Sequence, residues 1–247
     1  MRLRFESFNA DIRQKYPTCI ERFNDIEESL VELEQYAPWY ASDEEDCSMT
    51  TKSPLYKTLV LVSCCSLREI DIINGIISLI NTNNAYCVIF LIRAQIENCG
   101  MLAMLHKHLR LLKQHGDYQA FDSKIEKLTL GGKKIGDVAS YNTIELIRTI
   151  DSEMSLLEDR DNVKNFEDVI YASLCEEVHP NWQGLLGQYC RLLDDGRGIE
   201  FKIQEHFADE QLKLRLTFSF TSVRTLLYFI EKCTTLVKTL PNYCVRE

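Results

Sequence analysis

The sequence predicts an all-α protein, a helical bundle built around one long antiparallel helix hairpin, with a small β-hairpin in its C-terminal third. Three observations carry this. Glycine and proline are scarce, 10 and 5 in 247 residues. Apolar residues recur at helical spacing over most of the length. The apolar share, 45%, is enough for a sizeable core. The length fits one large domain or two small ones. The organisation expected is a single domain over 1–247, with an N-terminal helical segment (1–40), an acidic loop (41–54) and a bundle core (55–247).

The first helical segment covers about 5–36 and is interrupted near Pro17, whose missing N–H and fixed φ break a helix interior. Residues 41–54 are acidic and then rich in Ser and Thr, with Pro54 at the end, which reads as a loop. The run Asp43-Glu44-Glu45-Asp46 is expected to be solvated. Ser53-Pro54 then supplies a cap and a first-turn proline, so a helix starts there and continues to about 80. Asn81-Thr82-Asn83-Asn84 is a turn, and a second long helix runs to His115-Gly116. So short a link predicts antiparallel packing of the two.

A shorter helix follows over about 118–130. Gly131-Gly132-Lys133-Lys134-Ile135-Gly136 lacks the spacing of a phosphate-binding P-loop. Helical patterns resume over 142–157 and 165–177, the second closed by His179-Pro180. The period then changes, and residues 189–203, with Gly196 and Gly198 in the turn, read as the β-hairpin. A last helix over about 209–240 returns Phe218, Phe220, Leu226, Leu227, Phe229 and Ile230 to the core.

Composition narrows the function classes. Ten cysteines show no Cys-x-x-Cys pair, and Cys64-Cys65 are adjacent, so they read as reduced core residues rather than metal ligands. With no secretory leader pattern at Met1-Arg2-Leu3-Arg4, a cytoplasmic protein is expected. The uncharged apolar stretches 59–67 and 86–92 are shorter than the ~20 residues of a bilayer span, so no membrane association is expected. A net charge of −9 argues against a broad nucleic-acid-binding face while leaving room for a small local one. Basic residues gather modestly over 107–113 and at Lys133-Lys134. Nothing calls for a cofactor or a metal.

Two motifs carry most of the functional information. Arg93 and Glu97 stand four apart in the apolar run 86–105, where a charge costs several kcal/mol unless paired. Eighty residues on, Leu174-Cys175-Glu176-Glu177-Val178-His179-Pro180-Asn181 closes another helix on a histidine. The structural interpretation is equally available: Arg93 and Glu97 as an ion pair that ties the core to Glu176, Glu177 or a carbonyl, and His179 as a helix cap. His106, His108 and His206 read as exposed or satisfied polar residues, and Trp182 as a core plug.

Taken together, Leu91-Ile92-Arg93-Ala94-Gln95-Ile96-Glu97, the Leu174-to-Pro180 motif and the hairpin after it resemble a group of bacterial helical proteins over residues 55–203. That group is in turn similar to the HEPN superfamily of toxin–antitoxin and antiphage-defence systems. The resemblance implies a metal-independent ribonuclease or RNA-binding effector, usually a homodimer, with an Arg-x(4–6)-His motif and a partner protein from the same operon.

A literal match is Arg110-Leu111-Leu112-Lys113-Gln114-His115. In such chemistry a histidine moves the proton of the ribose 2′-OH or of the leaving oxygen, and an arginine stabilises the phosphorane. Two sets compete for the role: Arg93 and Glu97 with His179, or Arg110 with His115. The alternative is a noncatalytic helical protein-interaction module in which the Arg/Glu/His network only fixes the fold.

Overall fold

The computed structural model describes residues 4–37, 54–84, 87–130, 140–158, 165–178, 190–193, 198–201 and 209–240. Its α-helices are α1 (Ala10–Lys15), α2 (Ile20–Glu34), α3 (Pro54–Asn81), α4 (Val88–His115), α5 (Tyr118–Leu130), α6 (Thr143–Glu158), α7 (Ala172–Val178) and α8 (Asp209–Lys238). The acidic run 43–46, the glycine-rich segment 131–136, His179, Trp182 and His206 lie outside the described residues.

Local chemistry sets the helix ends. Asn9 caps α1 by accepting the Ile12 N–H at 2.8 Å, and Pro17 opens a short 3₁₀ turn (Pro17–Cys19) that separates α1 from α2. Pro54 takes the first position of α3. The α3–α4 turn uses Asn83 at φ 58°, with the Asn84 N–H on Leu79 O at 2.7 Å. Gly116, left-handed at φ 68°, ends α4 by donating to Leu112 O, and Asp117 and Asn142 cap α5 and α6.

One clamp holds the N-terminal segment in place. Asn74 accepts the Glu6 N–H and donates to Arg4 O. One heptad on, Asn81 accepts the Asn9 N–H and donates to Ser7 O, all at 2.8–3.0 Å. Residues 4–9 are thereby tied to α3 through their own backbone.

The centre of the bundle is α4 rather than the α3–α4 pair alone. Helices α8 and α6 pack on it at least as extensively as α3, and α5 and α7 add to the enclosure. An all-round apolar helix belongs in such a position. By length and composition α4 also qualifies as a bilayer span, with a mean hydropathy of 1.5, and 67% of that window is buried inside the fold. Gly100 lets α6 approach: a Cβ there would lie 2.8 Å from the Leu146 Cβ. One apolar cluster, from Phe8 to Val237, runs through the described helices.

A π-helix (Asn165–Tyr171) leads directly into α7. Asp151 of α6 accepts the Phe166 and Glu167 N–H groups, both at 3.0 Å, and so anchors its first turn. In the region of the expected β-hairpin, three residues on each side pair antiparallel, Cys190 opposite Phe201 and Leu192 opposite Ile199. The protein is all-α in its layers.

Candidate functional site

Helix α4 carries polar side chains on several sides, and three groups of them are answered by different neighbouring elements. Towards the π-helix, an Arg93 guanidinium N–H donates to Tyr171 Oη at 3.0 Å, and the guanidinium carbon lies 5.2 Å from the Tyr171 ring centroid. The expectation of a fully buried Arg93–Glu97 ion pair is corrected here. Both residues are half-buried, and no ion pair joins them within 4.0 Å among the described residues. Glu177 instead lies 2.6 Å from Arg215 of α8. An i, i+4 spacing permits a pair, but the Tyr171 hydroxyl and ring face engage Arg93 instead, and its Nε is buried without a partner among the described residues.

Arg93→Ala is therefore expected to cost about 1 kcal/mol, the worth of one hydrogen bond and a partly exposed cation–π contact. Chemical denaturation checks this, and a loss of several kcal/mol would restore the buried-pair interpretation.

Towards α3, the fully buried Glu69 accepts from Gln95 Nε2 and Asn98 Nδ2, both at 2.8 Å, and Asn98 Nδ2 also donates to Cys65 O at 2.9 Å. Burial pushes the Glu69 carboxyl up to about 7, with the two amides and Arg68 opposing the rise. The Gln95 and Asn98 amide oxygens are buried without a partner among the described residues. Sequence reasoning passed over this network, although a signal was present. Glu69 falls in the register of Val62, Cys65, Ile73 and Ile76, the buried face of α3.

Towards α6, Glu153 is 1% exposed and receives His106 Nδ1 at 2.8 Å and Arg110 Nη2 at 2.9 Å. Burial opposes its ionisation, yet the hydrogen bonds from His106 and Arg110 outweigh burial and hold its carboxyl below the ordinary range. Arg110 is thus committed to α6.

The fourth direction is open. A cleft of about 400 Å³ lies between α4, α5 and the start of α6, and its walls include Lys107, His108, His115, Lys124, Tyr141 and Glu145. His115 is exposed, while Arg110 is absent from the lining. The structure therefore separates the two ends of the Arg110–His115 match, Arg110 turning to Glu153 and His115 to the cleft. His108 Nε2 lies 2.8 Å from Tyr141 Oη, and the Lys127 ammonium sits 4.0 Å from the Tyr141 ring centroid.

Burial lowers His108 to about 4, and Lys107 and Lys124 add to the effect, so the imidazole is neutral at pH 7. Burial, then Glu145, raise Tyr141 to about 12, so its hydroxyl keeps its proton. Two uncharged proton-bearing groups, two lysines and an exposed histidine share one concave surface. Such a set can hold a phosphate ester and move protons around it.

Of the two alternatives expected for His106 and His108, exposed or satisfied, the second holds: both are buried and partnered. Among the described residues no three His, Cys, Asp or Glu side chains converge as a metal-ligand set. No protein family, curated protein or solved structure matches the chain.

Proposed function

We propose that this protein is an HEPN-like effector that binds and cleaves RNA without a metal, acting from the α4–α5–α6 cleft in antiphage defence or as the toxin of a toxin–antitoxin pair. One observation carries the reading: His115, the histidine of the Arg-x₄-His match, shares a cleft with Lys107, Lys124 and the neutral His108–Tyr141 pair. Since Arg110 is turned to Glu153, the cations facing the phosphorane are the two lysines.

In the cleavage step the ribose 2′-oxygen attacks phosphorus and gives its proton to the His115 imidazole. The P–O5′ bond breaks, and the leaving oxygen takes a proton from the Tyr141 hydroxyl; the proton held by His115 then passes through water to the Tyr141 oxygen, which restores both groups. The products are a 2′,3′-cyclic phosphate and a 5′-hydroxyl end, with no net change in oxidation state.

The purified chain is expected to cleave a short single-stranded RNA in EDTA, and its expression to slow cell growth. His115→Ala should abolish cleavage with the circular dichroism spectrum unchanged. If His179→Ala abolishes it and His115→Ala does not, the chemistry belongs to Arg93, Glu97 and His179. A chain that neither binds nor cleaves RNA overturns the reading.

A noncatalytic interaction module is the second reading, favoured by a separate observation. Both candidate arginines already serve the fold, Arg93 through Tyr171 and Arg110 through Glu153. It leads to the same folded protein with no RNA activity, engaging a second copy of itself or an operon-encoded partner.

A further inference from the structure

We infer that the RNA site continues out of the cleft into a second depression on the same face, so that a strand of at least two nucleotides lies across α6 with Arg148 at its outer phosphate; this rests on the RNA reading above. The second depression, about 450 Å³, is lined by Asn142, Ile144, Arg148, Thr149 and Ser152. It shares Lys107 and Glu145 with the cleft, so the two hollows form one groove with Lys107 at the junction.

The length of the groove suits a strand. From position 142 to position 152 the wall follows α6 for roughly 15 Å at the helical rise per residue. That is several times the ~3.4 Å rise per nucleotide of a stacked strand. Across both hollows Lys107, Lys124 and Arg148 are matched by Asp117, Glu145 and the Glu167 paired with Arg148, a balanced local charge on a chain of net charge −9.

Arg148 is suited to the outer position. Its side chain is 66% exposed, and the 2.7 Å pair with Glu167, whose side chain is 22% exposed, engages its Nε. The rest of the guanidinium fork suits a phosphate. Among the described residues the outer hollow has no aromatic lining, and its Thr149 and Ser152 hydroxyls are engaged by backbone carbonyls. It therefore contacts the backbone of the strand and adds affinity without base preference.

The test compares binding of uridine 3′-monophosphate with that of a trinucleotide, by competition against a labelled RNA, for the full chain and its variants. The trinucleotide should bind about tenfold more tightly than the mononucleotide, and Arg148→Glu should remove that advantage while leaving mononucleotide affinity unchanged. Arg148→Ala should lower the salt dependence of trinucleotide binding by about one unit of log–log slope. Glu167→Gln, which removes only the partner of Arg148, should not weaken the trinucleotide.

Equal affinity for the two ligands, an Arg148→Glu loss shared by both, or weakening by Glu167→Gln overturns the extension. In those cases mononucleotide binding that falls on Lys124→Ala still upholds the cleft as an RNA site. If the unsubstituted chain binds neither ligand, the RNA reading fails and the extension with it.

Discussion

Glu153→Ala is expected to destabilise the protein by about 3 kcal/mol, the low end of the range for breaking a buried ionic pair because Arg110 keeps some access to water. The substitution removes the carboxylate that holds α4 to α6 through His106 and Arg110. What remains is an imidazole Nδ1 at a site 4% exposed, with its acceptor gone, and a guanidinium 30% exposed without its carboxylate. The cavity left by the lost side chain adds to the cost. Glu153→Gln separates the contributions: it keeps an acceptor and the volume but no charge, so it should lose distinctly less. Urea denaturation of the three proteins measures the series. Stability unchanged in Glu153→Ala would mean that α4 and α6 are held by packing alone.

The helices were legible because their ends carry local chemistry. Pro54 and Gly116 mark the start of α3 and the end of α4 as a first-turn proline and a left-handed glycine, neither of which needs a tertiary partner. What the side chains on α4 do was far less legible, since partners 26, 47 and 78 residues away decide it. Arg93 and Glu97 sit at a spacing that suggests a pair, but Tyr171 reaches Arg93 from the helical segment 165–171, whose π register the periodicity does not announce.

His115 was legible as a residue, and its cleft was not, because the walls come from three helices. His108 and Tyr141, 33 positions apart, meet only through the fold. The central place of α4 was half legible. Its apolar run signals burial, while the choice of α6 as a close neighbour depends on Gly100 meeting Leu146.

The contributions of Glu69 and His108 to stability should oppose each other across pH 4–7, so replacing Glu69 should change the slope of stability with pH in that window. Glu69 has its folded-state value raised from 4.5 to about 7, so the folded protein binds a proton that the unfolded chain has released. Its contribution is greatest below 4.5 and is lost as pH rises to 7, by about 3 kcal/mol for a shift of that size. His108 has its folded-state value lowered from 6.5 to about 4, so here the unfolded chain binds the proton. Its contribution is full above 6.5 and is lost as pH falls to 4, the opposite slope over nearly the same range.

Glu69→Gln removes one slope and leaves the other. The substitution also suits the site. The carbonyl oxygen of the introduced amide can accept from Asn98, whose own amide is fixed by Cys65 O. The N–H of the introduced amide can donate to the Gln95 oxygen, now unpartnered, after the Gln95 amide turns over. The variant should gain on the unsubstituted protein by about 3 kcal/mol between pH 4.5 and pH 7. The difference should level off above pH 7, where Glu69 is ionised in both states. Denaturation midpoints at pH 4.5, 6 and 8 measure it. A stability difference that stays constant with pH would show that Glu69 titrates in the folded protein as it does in water, and that its two amide donors fully offset its burial.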